Sequence, residues 1–420
     1  MANLGDERIR CQRAPAGRPA AARGLARRAL FRACSVLMAD LTPPVLAERV
    51  AALGLVDHHV HPALETDTGA AEFEDLITES DRPLPPGLTQ FDSQLGLAIR
   101  RWCAPVLGLE PFAEPADYLA RRSSLGGVEV ARRLLRASGI SHFLIDTGLL
   151  RPGLLDLAGM RDLAGARVDE VVRLESVAEQ AARSGDGSAA GFAGRFAAAL
   201  SAQAAGAAGL KSIVAYRYGL DFDPEPPTAA EVTAAAGRWL RQAGQTGQIR
   251  LEDPVLLRHT LWTGLEHGLP LQLHTGFGDP DVDLRRCDPL LLRGFLRRAG
   301  PRQVPIMLLH CYPYHRGAGY LAQAYPHVYL DVGLAINYTG ARAAAVVAES
   351  LELAPFGKVL FSSDAWGPPE LHYLGALLWR RATARVLGDW VADGEWSQED
   401  ALRVAEMIGS GNARRVYRLD

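Results

Sequence analysis

The seven residues Leu55-Val56-Asp57-His58-His59-Val60-His61 (LVDHHVH, residues 55–61) read as a short buried strand that ends in histidines. In an extended chain alternate side chains share a face. His59 and His61 are therefore expected to project together, with Asp57 on their side and His58 on the other. Two imidazoles at i and i+2 make a chelate for a divalent ion. A histidine-rich strand end with packed or solvated rings explains the motif equally well while it stands alone.

Outward from this stretch, short β-branched or Leu-rich runs alternate with helical patterns. The runs are 55–61, Ser141–Gly148, Val168–Glu175, Leu210–Tyr216, Pro270–Thr275, Pro305–Cys311, His327–Gly333 and Lys358–Ala365. Helices are expected at Ala229–Ala243, Pro289–Ala299, Ala341–Leu353 and Pro369–Leu387, and the apolar spacing within Ser184–Gly209 also fits one. Eight such units predict an α/β fold, a (β/α)8 TIM-type barrel with a parallel, buried sheet. The first connection is long, about 80 residues. Glu72–Thr78, Leu95–Leu107 and Pro115–Ser123 look helical within it. It leaves from the end of strand one that carries catalysis in a barrel, so residues 62–140 are read as a helical cap.

The same criterion, a polar residue where an apolar run stops, selects the remaining site. His274 ends run five (QLHTGFGD), His310 ends run six (LLHCYP) and Asp364 ends run eight (FSSDA). Any one of them could be a hydrogen-bonded core residue, but their joint placement favours a metal centre. Nitrogen and oxygen donors of this kind suit Zn²⁺ first, with Mn²⁺ or Fe²⁺ as alternates. Such an ion lowers the pKa of bound water from about 15.7 towards roughly 7. His59, His61 and His274 are read as neutral ligands. Asp364 is a ligand or a hydrogen-bond acceptor for the water, and the group that takes its proton. His310 polarises a carbonyl or joins the ligands.

Lys211 sits inside run four. The chain has only two lysines, Lys211 and Lys358, among 45 basic residues. A buried lysine is costly unless paired or altered. It is read as a carboxylated bridge between two ions or as a contact for a substrate carboxylate, ahead of a lysine snorkelling from the strand end. Arg217 and Tyr216, just past run four, and Glu175, at the end of run three, are the substrate-binding candidates. Arg217 is the candidate carboxylate clamp, although abundant arginine weakens that reading. Asn337 and Glu370 lie near strand ends for the same reason, and Gly276–Asp283 reads as a mobile loop beside His274.

Bulk properties narrow the classes further. A 420-residue chain with 48% hydrophobic residues can fill a large core, and a net charge of -3 offers no field for nucleic acid. No run of 18 apolar residues suggests a membrane span. Five widely spaced cysteines without a CxxC pair argue against disulfide or thiolate-zinc scaffolds and for a cytoplasmic home. Residues 1–37, rich in Arg and Ala, are read as a disordered extension ahead of a 38–420 barrel, with Met38 as a natural start; a targeting presequence is the other reading. GxGxxG, GxxxxGK[ST] and GxSxG are absent, so no phosphate loop or nucleophile elbow is indicated.

VDHHVH, QLHTGFGD, LLHCYP and FSSDA, in this order, resemble the amidohydrolase superfamily. GLKSIVAYRYGL, HTGFGDPDVDL, GYLAQAYPHVYLDVGLA, SSDAWGPPELHYLGA and the terminal GNARRVYRL resemble its amidohydrolase-related (amidohydrolase 2) branch. Within that branch the chain is similar to the N-terminal domain of FluG-type proteins and to γ-glutamyl-amide hydrolases, from about Leu55 onward. The resemblance implies a divalent metal, usually zinc, held by His59, His61, His274 and Asp364, with His310 as ligand or electrophile. It also implies that Lys211 matches the lysine carboxylated in two-metal relatives. FluG-type chains continue into a glutamine-synthetase-like domain that this sequence does not contain.

The expected activity is hydrolysis of a C–N bond in a small, carboxylate-bearing amide, such as a γ-glutamyl amide. The same scaffold also supports non-oxidative decarboxylation and uronate isomerisation, so fold alone does not choose. A non-enzymatic binding barrel would be expected to show a degenerate metal site. The partners expected are a small-molecule substrate, no nucleic acid and no membrane, with a homo-oligomer left open.

Overall fold

A computed structural model describes residues 44–149, 151–184 and 187–420. The predicted extension 1–37 and the Met38 start lie outside the described residues.

Seven of the eight runs form strands: β1 Leu55–Val60, β2 Ile140–Asp146, β3 Arg167–Arg173, β4 Gly209–Ser212, β5 Leu271–Thr275, β6 Ile306–His310 and β7 Val328–Leu330. They pair in chain order, β1 to β7, and every pair is parallel. β1, β4, β5 and β6 are buried at every position, which is why they read as near-continuous apolar runs rather than alternating ones.

Two runs stop sooner than expected, for the same reason. At the end of β4 the Glu175 carboxylate accepts the Ile213 N–H (3.0 Å) and the Ser212 hydroxyl accepts the Val214 N–H (3.1 Å). The ladder ends and Val214–Arg217 coils into a helical turn. Past β7, Asp331 accepts the N–H groups of His310 (3.0 Å) and Gly333 (2.8 Å), and Gly333–Thr339 is helical. In both places side-chain acceptors take backbone donors that a longer strand would need.

The eighth run is not a strand. Val359 makes an isolated parallel bridge to Leu330 and residues 360–366 have no regular structure, and Asp364 sits at φ 48°, which breaks a ladder. The segment still bonds on both sides. Leu360 N–H donates to Leu330 O of β7 (3.0 Å), and on the other flank His58 N–H donates to Phe361 O (3.3 Å) and Asp364 N–H to His59 O (3.2 Å). The two edges of the sheet meet across it.

Contacts across the sheet confirm the curl. The Tyr417 hydroxyl accepts from Gln272 of β5 (2.9 Å) and lies 3.0 Å from His58 Nδ1 of β1, and these strands are not sheet neighbours. A single hydroxyl reaches both only from the enclosed interior. This corrects the expected orientation of His58. The register of β1 on β2 shifts between Asp57 and Val60, which interrupts strict alternation. His58 and His59 both reach the interior, and Asp57 turns to the eighth segment.

The expected helices at Ala229–Thr246, Arg293–Ala299, Ala343–Ser350 and Pro369–Ala392 are present, with ends shifted by a few residues, and Phe192–Ala204 occupies the Ala/Gly-rich stretch. The first begins at a capping box in which Thr228 and Glu231 exchange bonds. The connection from β1 to β2 holds helices at Ala70–Asp75, Gln94–Ala98, Pro115–Leu125 and Gly127–Ala137. The last buries Val130, Ala131, Leu134 and Leu135. A buried ion pair ties this connection to the start of Pro369–Ala392: Arg122 Nε meets Glu370 Oε1 at 2.6 Å, and Tyr118 donates to the same oxygen at 2.7 Å. Glu370 therefore braces the two segments rather than facing the cavity. No described helix is long and apolar enough to cross a membrane.

Candidate metal centre and active site

The polar residues at the strand ends converge. His59, His61 and Asp364 offer ligand atoms that all lie within 4.8 Å of one another. Asp364 Oδ1 is 3.0 Å from His59 Nε2 and 3.7 Å from His61 Nε2, and its Oδ2 is 3.0 Å from His310 Nδ1. His274 lies outside that group of three but in the same cluster, with its ring 4.7 Å from that of His310 and its buried Nε2 without a protein partner. Lys211 Nζ is 3.0 Å from His59 Nε2, across the interior from β4 to β1.

Backbone conformations that side chains avoid help to build the cluster. His310, Cys311 and Asp364 have φ of 64°, 60° and 48°. Conformations of this kind cost of order 1–3 kcal/mol each and persist only where the surroundings hold them. They are held here: Asp331 takes His310 N–H, and Asp57 takes both the N–H (2.9 Å) and the hydroxyl (2.5 Å) of Ser363.

Burial sets the protonation of the site. It lowers the imidazolium stability of His59, His274 and His310 well below the ordinary range and that of His61 to about 4. All four rings are neutral and able to donate lone pairs. Burial raises Asp364 well above the usual carboxylate range, and it brings Lys211 down to about 8. Neutral imidazoles with one carboxylate, closely grouped and with a donor atom left bare, fit a divalent cation of the zinc type.

The cluster opens into a cavity of about 680 Å³ that includes His61, Lys211, His274, His310 and Asp364 in its lining. Residues 78–83 of the β1–β2 connection and 279–281 of the loop after β5 complete its wall. Tyr216 lies over His274 with ring centres 4.4 Å apart, and Gly278 leaves room for its hydroxyl, since a Cβ there would fall 2.1 Å from it. Arg217 lines the cavity with its guanidinium 3.1 Å from Glu179. Glu175 does not line it. Its carboxylate accepts from Ser212 Oγ (2.5 Å) and Ile213 N–H and holds the turn on which Tyr216 and Arg217 sit. Asn337 is buried against the carbonyls of Ser363 and Leu371.

Several site residues were not anticipated. Asp146 ends β2 and Arg173 ends β3, where the strand-end criterion applies to them as it does to His274. Arg173 grips Asp146 through Nη2 (2.7 Å) and Nε (3.2 Å) and faces the cavity. Against the pull of burial, that guanidinium holds the Asp146 carboxyl below its usual range. His61 Nδ1 lies 3.3 Å from Asp146 O, which orients the ring. Glu79, far from any strand end, carried no sequence signal and also lines the cavity.

The chain is similar to known proteins in sequence and in fold. The amidohydrolase family pattern covers residues 158–419. Protein fluG of Emericella nidulans is 36% identical over 224 residues, which is 50% of this chain and 26% of that protein, so the chain spans about a quarter of that relative's length. A crystal structure from Lactobacillus casei, described as a candidate metal-dependent hydrolase, superposes with a TM-score of 0.77 at 29% identity, covering 89% of this chain and 97% of that one. The glucuronate isomerase of Caulobacter crescentus shares the fold, with a TM-score of 0.62 at 17% identity over 89% of this chain and 93% of its own. This chain belongs to the amidohydrolase family.

Proposed function

We propose that this amidohydrolase-family chain is a metal-dependent enzyme that hydrolyses the C–N bond of a small, carboxylate-bearing amide. The observation that carries the reading is the joint placement of four neutral imidazoles and Asp364 at one mouth of a curled parallel sheet. We read that sheet as a (β/α)8 barrel whose eighth stave is the irregular segment 359–365, and residues 62–140 as its cap.

His59, His61 and Asp364 would hold the ion, zinc first and Mn²⁺ or Fe²⁺ as alternates, with His274 as a further ligand. Lys211 serves beside them, either carboxylated between two ions or as a cation for the substrate. When bound, the ion supplies a Lewis acid and an acidified water. Asp364 takes a proton from the attacking water and delivers it to the leaving nitrogen. His310, 3.0 Å from Asp364, polarises the scissile carbonyl. Arg217 and Tyr216 bind the substrate from the turn that Glu175 supports.

The test is a panel of amides, including γ-glutamyl amides, with zinc-loaded protein. Release of amine that stops on chelation supports the reading, and a loaded enzyme that leaves the whole panel intact overturns it. Loss of CO₂ from an unsaturated acid, or interconversion of uronates without water incorporation, would assign the scaffold's other chemistries instead.

A further inference from the structure

We propose that Asp331 is the positioning residue that sets His310 against Asp364, and that Asp331 is in turn held by His58 and Tyr417. The inference rests on the roles given above to His310 and Asp364 and adds what fixes their spacing.

Asp331 immediately follows β7 and is fully buried. Its Oδ1 accepts three donors: the His310 N–H at 3.0 Å, the Ser362 hydroxyl at 2.7 Å and the Gly333 N–H at 2.8 Å. The first belongs to the proposed electrophile, and the second stands two residues before Asp364. One oxygen thus ties the end of β6 to the segment that carries Asp364. The side chains of these two residues meet at 3.0 Å. His310 and Asp364 have φ of 64° and 48°, which the local chain does not favour, so bonds from elsewhere supply their placement. Gly333 leaves the room, since a Cβ there would lie 2.2 Å from Ser362 Oγ.

The other carboxylate oxygen is fixed from the sheet interior. Asp331 Oδ2 lies 3.0 Å from His58 Nε2, and His58 Nδ1 lies 3.0 Å from the Tyr417 hydroxyl. A carboxylate only accepts, so Nε2 carries a proton, and the neutral ring leaves Nδ1 to accept the Tyr417 O–H. Gln272 donates to the Tyr417 oxygen at 2.9 Å and to His58 O at 2.7 Å. The order of donors is therefore set from Gln272 through Tyr417 and His58 to Asp331. Neither His58 nor Asp331 has exposed surface, so water cannot take over a lost bond.

The experiment compares the full wild-type chain with Asp331→Ala, Asp331→Asn, Gly333→Ala and Tyr417→Phe. Crystal structures read the His310–Asp364 contact, absorption of the Co²⁺-loaded protein reads ligand geometry, and competitive titration reads zinc affinity. Asp331→Ala should open the contact beyond hydrogen-bond distance, shift the cobalt bands and weaken zinc binding by about tenfold or more. Asp331→Asn keeps an oxygen for the three donors and should recover most of the loss. Gly333→Ala displaces Ser362 and Tyr417→Phe removes the donor to His58, so each should move the same readouts in the same direction by less. Val416→Ala, which trims buried packing in the same helix as Tyr417, is the control for lost stability and should leave contact and spectrum unchanged. If Asp331→Ala does not fold, the other variants carry the test. The proposal is overturned if contact and cobalt bands stay as in wild type, or if Val416→Ala disturbs them equally. A Tyr417→Phe protein indistinguishable from wild type would overturn the part assigned to His58 and Tyr417. The contact is read without metal or substrate, so an untouched amide panel or a failure to bind zinc would sink the function proposed above and leave this test standing.

Discussion

Asp57 holds Ser363 at two points, accepting its N–H at 2.9 Å and its hydroxyl at 2.5 Å. The contact joins β1 to the irregular eighth segment one residue before Asp364, which itself adopts φ 48°. The carboxylate that faces the histidines is thus aimed by a residue two positions before His59.

Ser363→Ala removes one of these bonds and leaves a buried Asp57 oxygen unsatisfied. Stability should fall by about 1–3 kcal/mol, and zinc affinity should fall with it as Asp364 loses its aim. Denaturant unfolding and competitive zinc titration measure the two effects. A variant with unchanged zinc affinity would show that Asp57 plays no part in placing Asp364.

Zinc itself should stabilise the fold. A ligand at a hundredfold above its Kd adds about 2.7 kcal/mol, which thermal unfolding reads as a rise in Tm. His59→Ala and Asp364→Asn should lose most of that rise. An equal shift in wild type and both variants would mean that the ion binds elsewhere.

The Arg122–Glu370 pair is buried on both sides. Arg122→Met strands the Glu370 charge, and breaking such a pair costs about 3–5 kcal/mol. Adding Glu370→Gln should recover much of the loss, because the stranded charge disappears. If urea unfolding shows the double variant no more stable than the single one, desolvated charge is not what the pair compensates.

Glu79 makes a pH-dependent contribution. Its folded pKa, about 7, lies above its unfolded value of 4.5, so the folded state holds the proton more tightly. Stability associated with this group is present below pH 4.5 and is lost as pH rises through 7, by at most about 3 kcal/mol. Glu79→Gln should match wild type at pH 4 and exceed it at pH 8. Parallel Tm–pH profiles would contradict this.

Gly278→Ala places a methyl where the Tyr216 hydroxyl now lies. Tyr216 should swing off His274, lowering kcat/KM on any substrate the enzyme accepts while costing about 1–3 kcal/mol of stability. Unchanged kinetics would remove Tyr216 from the substrate site.

Strand periodicity and strand-end residues were legible in the sequence because both are local. Seven apolar runs became strands; His310 ends β6, and His274 stands one residue before the end of β5. Gly127–Ala137 was equally legible from Val130, Ala131, Leu134 and Leu135 but was passed over within a long connection. Arg173 and Asp146 satisfy the strand-end criterion too. A charged residue there reads as an ordinary solvated end until a partner 27 positions away is seen to bury it.

Residue types and their spacing were enough to predict a parallel α/β sheet and to single out the strand-end donors that the structure gathers, since a strand's neighbours impose period two and burial wherever they lie. Orientation was another matter. That His58 turns inward, that Asp364 adopts a left-handed conformation, that Lys211 reaches His59, and that Glu79 lines the cavity all depend on the register shift in β1 and on the curl that brings β4 to face β1. Those are contacts between segments distant along the chain, and their energies are paid only when the whole sheet has closed.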